Sequence, residues 1–115
     1  MAHANSLYFQ HRSRSLLKRL AQIGPVLAAS LVCVRHRCGN PRCRCASGRG
    51  HVSWRLTYKD KKQKTVTVYV PVDMIQEVRQ WVQNHRHLKK LAAEISYAQL
   101  MQVRLFVREK RRQTR

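Results

Sequence analysis

Two short runs with strict two-residue alternation, "VSWRLTYK" at 52–59 and "KTVTVYV" at 64–70, constrain the fold of this chain more than any other feature. In the first, Val52, Trp54, Leu56 and Tyr58 alternate with Ser53, Arg55, Thr57 and Lys59. In the second, Val66, Val68 and Val70 alternate with Thr65, Thr67 and Tyr69. Successive side chains of an extended backbone leave on opposite faces, so each run gathers its apolar set on one side. The polar link between the runs, "DKKQ", suits a hairpin, although it holds no Gly to declare the turn type. "SLVCVRH" at 30–36 is short and β-branched and adds a third strand. These runs predict a three-stranded antiparallel sheet with one covered face.

Helices are expected on both sides of that sheet in the chain. In "SRSLLKRLAQIGP", Leu16, Leu20 and Ile23 recur at helical spacing and Gly24 with Pro25 stops the run, which predicts an amphipathic helix over 12–23 with a basic outer face. Pro71 suits the first turn of a second helix, and Asp73 and Glu77 lie near the positive end of its dipole. Met74, Ile75, Val78, Trp81, Val82, Leu88, Leu91, Ala92, Ile95 and Ala98 then mark one apolar face, and neither Gly nor Pro follows Pro71. A period held that long predicts either a break near Ser96 and Tyr97 or a tail that packs on another chain. The expected fold class is α+β: a short N-terminal helix, a three-stranded antiparallel sheet with a Cys-rich loop, and a long C-terminal helix packed on the sheet. Its expected organisation is a basic helical segment at 1–29, a single domain at 30–103 with the Cys-rich loop at 33–51, and a basic tail at 104–115.

Charge says what such a domain meets. The chain has 24 Lys and Arg against 5 Asp and Glu, a formal net charge of +19. A compact body with that excess repels itself unless an anion answers it, and nucleic acid is the expected partner, DNA before RNA, with an anionic membrane or protein surface as the alternative. The apolar fraction of 43% is too high for a disordered basic tail. Basic residues gather at both ends and thin out in the helical stretch 71–103. If Val52, Trp54, Leu56, Tyr58, Val66, Val68 and Val70 lie beneath the long helix, the opposite sheet face presents Arg55, Thr57, Lys59, Thr65, Thr67 and Tyr69. Such residue types can hold phosphates and base edges. The bland alternative is that any half-exposed sheet in a basic protein looks like this. Expected nucleic-acid contacts are Arg35, Arg37, Arg42, Arg44 and Arg49 from the Cys-rich stretch, Arg55, Lys59, Lys62 and Tyr69 from the sheet and hairpin, and Arg111 and Arg112 from the tail "REKRRQTR".

The stretch "CVRHRCGNPRCRCASGRGH", Cys33–His51, combines those arginines with four cysteines. Cys38, Cys43, Cys45 and His51 could converge on one structural zinc, since Gly39, Pro41, Gly48 and Gly50 let the loop curl and the arginines favour thiolates. An all-Cys set with Cys33 in place of His51 is a variant. Zinc sites usually take ligands as C-x2-C pairs and no such pair is present, so a reduced, partly buried thiol loop is an equal alternative and a disulfide a lesser one. The apolar run "PVLAASLVCV" at 25–34 is half the length of a membrane span, and it is opened by Pro25 without a clean cleavage pattern after it. A cytoplasmic protein without membrane contact is expected, although an Arg-rich, acid-poor start is also what an organelle transit peptide has.

The run "SLVCVRHRCGNPRCRCASGRGH", with "VSWRLTY" and "VTVYVPVDMIQEVRQWVQNHRHLKKLAAEIS" after it, resembles a family of small, uncharacterised bacterial proteins, a domain of unknown function. The family's signature is CG, three residues, then CxCA, followed by a Gly-His loop, a "YVP" strand end and a helix with a Trp. The resemblance covers residues 30–96 and falls on Cys38, Gly39, Cys43, Cys45, Ala46, His51, Val70, Pro71 and Trp81, with Cys33 outside it. Where many members read "HGPY", His51 here is followed directly by Val52. Members are often met beside transposases and other mobile-element genes, so the resemblance implies a context and no activity.

Catalysis is not expected. Two-metal phosphoryl-transfer sites need clustered carboxylates, and the acids are Asp60, Asp73, Glu77, Glu94 and Glu109, four of them on the second helix. No phosphate-binding glycine loop exists, and Cys45 with His51 has no orienting acid nearby. The expected function is that of a small basic nucleic-acid-binding accessory protein, linked to mobile-element DNA transactions. The rival is a non-enzymatic protein-interaction module, zinc-stabilised or not, that pairs with a partner or itself through Ile75, Val82 and Leu91 of the long helix. No small-molecule substrate is expected.

Overall fold

The computed structural model describes residues 5–37, 39–44, 48 and 50–114. Helix α1 runs Ser6–Ala21, strands β1, β2 and β3 run Ser30–His36, His51–Lys59 and Thr65–Val70, a 3-10 turn covers Val72–Met74, and helix α2 runs Ile75–Gln113. The sheet is antiparallel in the order β1-β2-β3, and the class is α+β as the alternation and the two helical periods predict. The chain forms two compact units, Met1–Pro25 with Arg86–Arg115, and Val26–His85.

In the unit Val26–His85, register fixes the faces. Trp54 pairs with Val70, Leu56 with Val68 and with Leu31, and Tyr58 with Val66. Val70, Val78 and Val82 are the buried centre, and Leu27, Leu31, Trp54, Leu56, Ile75 and Trp81 pack around them. The Leu27 N–H donates to the Trp81 carbonyl at 3.1 Å, which ties the segment before β1 to α2. The Arg79 guanidinium lies 5.2 Å from the Trp54 ring centre, a cation–π contact at the edge of this core. The covered face is smaller than its apolar pattern predicts. Val52, Tyr58 and Val68 are exposed at 48%, 38% and 43%, because only Ile75–His85 of α2 belongs to this unit and about three helical turns cannot roof seven side chains.

In the other unit, Phe9, Ser13 and Leu16 of α1 and Leu91 and Ala98 of α2 are buried. The rings of Phe9 and Tyr97 meet edge to face at 6.2 Å, and Arg12 reaches Glu94 at 3.5 Å. Descending α1 therefore matches ascending α2, and the two segments run antiparallel. Helix α1 begins earlier than the 12–23 expected from its leucines. The Asn5 side chain accepts the Tyr8 N–H at 2.8 Å and caps the helix before Phe9 contributes its buried ring. Helix α2 shows no break at Ser96 or Tyr97. Pro71 stands just outside the first turn, at φ −61° and ψ 150°, and the 3-10 turn leads into α2.

Candidate nucleic-acid interface

Strand parity places Ser53, Arg55, Thr57 and Lys59 of β2 and Thr65, Thr67 and Tyr69 of β3 on the face turned away from the Val70 core. Arg55 pairs directly with Tyr69, Thr57 with Thr67 and Lys59 with Thr65. Strand β1 adds Val32, Val34 and His36 to the same face, opposite Arg55, Ser53 and His51. The twelve strand positions that share this parity include no acid. Tyr69 is 62% exposed. His36, Ser53, Arg55, Thr67 and Tyr69 line a depression of about 480 Å³ that crosses all three strands.

The hairpin that carries Lys62 explains why no Gly was needed. The Asp60 carboxylate accepts the N–H groups of Lys62 at 2.8 Å and Lys64 at 2.9 Å. The Gln63 N–H donates to the Asp60 carbonyl, and the Asp60 N–H to the Lys64 carbonyl, both at 2.9 Å. Gln63 adopts φ 66°, the left-handed position that Gly usually takes in a three-residue hairpin loop. Asp60, the acid that directly follows β2, is thereby committed to holding the turn.

At the other end of the sheet, the long connection from β1 to β2 returns to the open face. Asn40 opens a turn, its side chain accepting the Arg42 N–H and its carbonyl the Cys43 N–H, each at 3.0 Å, with Pro41 at the position that favours such a turn. This delivers Cys43 Sγ to 3.0 Å from His51 Nε2. The His51 ring stands 6.4 Å from that of His36, its partner across the ladder. Gly50, at φ 84°, closes the loop where a β-carbon would meet the His36 carbonyl oxygen at 2.7 Å.

Of the expected contacts, the structure brings Arg55, Lys59 and Tyr69 onto one face, with Lys62 in the hairpin beyond Lys59. Arg37, Arg42 and Arg44 lie exposed in the loop, and the Arg37 guanidinium points to the Gly48 carbonyl at 3.5 Å. Arg35 is not brought together with Arg55. It shares the parity of Leu31 and Cys33 and so leaves the sheet on the opposite face, opposite Val52. Arg111 and Arg112 occupy the last turns of α2, exposed, in the other unit. Arg49, Cys38 and Cys45 lie outside the described residues, so of the expected zinc ligands only Cys43 and His51 are placed. Among the described residues no three metal-ligating side chains come together. His36 and Ser53 were missed as site residues. Their parity with Arg55 was legible in β2 for Ser53, whereas His36 needed the β1 register.

The arrangement defines a class: a small basic α+β protein whose exposed sheet face is cationic, aromatic and free of acid. The chain belongs to the family described as Domain of unknown function (DUF6788), whose family model matches residues 9–80. That span takes in most of α1, the sheet, the Cys-rich loop and the start of α2. Neither the curated proteins nor the solved structures yield a match. No helix among the described residues is long and apolar enough to cross a membrane.

Proposed function

We propose that this chain is a small, non-enzymatic nucleic-acid-binding protein of the cytoplasm that acts as an accessory in DNA transactions, those of mobile elements among them. The observation that carries the reading is the pairing of Arg55 with Tyr69 on an acid-free sheet face in a chain of net charge +19. Arg55 and Lys59 supply phosphate contacts from the face, Lys62 from the hairpin, and Arg37, Arg42, Arg44 and Arg49 from the Cys-rich loop. The mobile-element role rests on the resemblance of the Cys-rich motif alone. The decisive experiment is a binding panel of single- and double-stranded DNA and RNA at two salt concentrations. Phosphate neutralisation makes log K fall linearly with log salt by about 0.9 per neutralised phosphate on duplex DNA. Binding that ignores salt, or no binding at all, defeats the proposal.

One structural zinc belongs to this reading. Cys43 and His51 have the donor chemistry zinc takes, and their 3.0 Å approach puts them near the separation of neighbouring ligands in a tetrahedral site, on the order of 3.5 Å. Cys38 and Cys45 would complete the set. Its chemistry there is structural: it would hold the loop and aim its arginines at the end of the sheet.

A protein-interaction module is the second reading, favoured by one specific observation. The residues expected to pair, Ile75, Val82 and Leu91, are not free for it, because Val82 and Leu91 are buried and Ile75 packs on the Val70 cluster; Leu100, Val103, Phe106 and Val107 of α2 are instead exposed at 53%, 59%, 63% and 41%, which suits pairing with a partner helix or a second copy. Association through that stripe would persist at high salt, which separates it from phosphate binding.

A further inference from the structure

The open face of the sheet holds a shallow depression, and its chemistry is more specific than phosphate attraction. Five side chains from three strands line it: His36, Ser53, Arg55, Thr67 and Tyr69. Four are hydrogen-bonding groups, and the fifth, Tyr69, is an aromatic ring left 62% in water on an edge strand. A tyrosine so placed contributes little to the core, whose members all stand on the opposite face. The Ser53 hydroxyl has essentially no accessible surface and no hydrogen-bond partner among the described residues.

We infer that this depression takes one unpaired nucleotide, its base stacked on Tyr69 and its phosphate held by Arg55, so that the protein prefers single-stranded nucleic acid. The inference rests on the nucleic-acid reading and narrows it. Arg55 is the direct cross-strand neighbour of Tyr69, with β-carbons about 5 Å apart, so a base on the ring leaves its own phosphate within reach of the guanidinium. The hydroxyl of Thr67 and the imidazole of His36, which line the same depression, are the groups left for the sugar and the remaining phosphate oxygens. The strand restriction follows from stacking. Both faces of a base in a duplex are covered by its neighbours, and only an unpaired or splayed base can offer one to a protein ring. Charge agrees, since no strand residue of this face is acidic.

The test measures fluorescence anisotropy of the full chain with a labelled 12-nucleotide oligo-dT, the matching oligo-U and a dT·dA duplex, at two salt concentrations, with thermal melts of every variant. Tyr69→Ala is expected to weaken single-strand binding about tenfold or more, to weaken duplex binding several-fold less than that, and to leave the melting temperature unchanged. Tyr69→Phe, which keeps the ring, is expected to stay within about twofold of the native chain. Should Tyr69→Ala melt early, Tyr69→Leu takes its place, because it keeps apolar bulk on the strand without a ring. If duplex binds as tightly as single strand, or removing the ring leaves oligo-dT and oligo-U affinity unchanged, the nucleotide site is overturned while the broader nucleic-acid reading stands. If none of the three probes binds, both fall.

Discussion

The sulfur of Cys43 lies 3.0 Å from Nε2 of His51, so the Cys-rich loop is joined to the first residue of β2 by a side-chain contact and not by chain continuity alone. His51 has the strand parity of Arg55, and whatever orders the loop therefore acts on the end of the open face. If Cys38, Cys43, Cys45 and His51 hold zinc, purified protein carries close to one metal per chain by elemental analysis. Binding energy at such a site is also folding energy, so chelation or Cys43→Ser should lower the melting temperature and nucleic-acid affinity together. Metal-free protein in which Cys43→Ser changes neither quantity would reduce the loop to a thiol-bearing arginine platform.

Gly50 offers a sharper test of how that loop closes. Its φ of 84° is unfavourable for any residue with a β-carbon, and the added atom would sit 2.7 Å from the His36 carbonyl oxygen, which is backbone and cannot swing aside. Gly50→Ala is expected to cost about 2–4 kcal/mol, read by denaturant unfolding. A loss below about 0.5 kcal/mol would mean the loop closes differently.

The hairpin predicts the opposite sign. Gln63 holds φ 66°, where a side chain is strained and Gly is not. Gln63→Gly should stabilise the protein by about 0.5–1 kcal/mol, the relief exceeding the added freedom of the unfolded chain. Destabilisation on that substitution would show that the side chain contributes something the turn geometry does not reveal.

Removing both charges in Arg55→Ala with Lys59→Ala should weaken nucleic-acid binding and lower the salt slope by about 1 for each phosphate left without its cation. The melting temperature should hold, since neither side chain stands on the Val70 face. Retained affinity would move the interface off the sheet.

The end of α2 is a second source of charge. Residues 108–114 are exposed and include Arg108, Lys110, Arg111 and Arg112. Deleting 108–115 is expected to reduce both affinity and salt slope without a change in thermal stability, because residues 108–114 bury no side chain. An unaltered slope would assign the phosphate contacts to the sheet and loop.

Which elements form was legible in the residues themselves. The two-residue period of 52–59 and 64–70 sorts Trp54, Leu56 and Val70 from Arg55, Lys59 and Tyr69 without knowledge of any partner, because a pleated backbone alternates its side chains wherever it lies. The absence of Gly and Pro after Pro71 likewise announced a long helix, since nothing local stops it. Asn5 also carried a readable signal, a capping side chain ahead of Phe9, that the leucine spacing alone overlooked. Other features are nonlocal and belong to the tertiary structure. Arg35 falls on the face away from Arg55 only once β1 is set in register with Val52. Val52, Tyr58 and Val68 stay in water because coverage depends on how much of α2 reaches the sheet, which periodicity does not encode. Cys43 meets His51 across eight residues through a turn at Asn40 and a left-handed Gly50, and the spacing of cysteines in a line of letters carries no such closure. Pattern along the chain is a property of neighbours, whereas a site is a meeting of residues that only the folded backbone brings within reach.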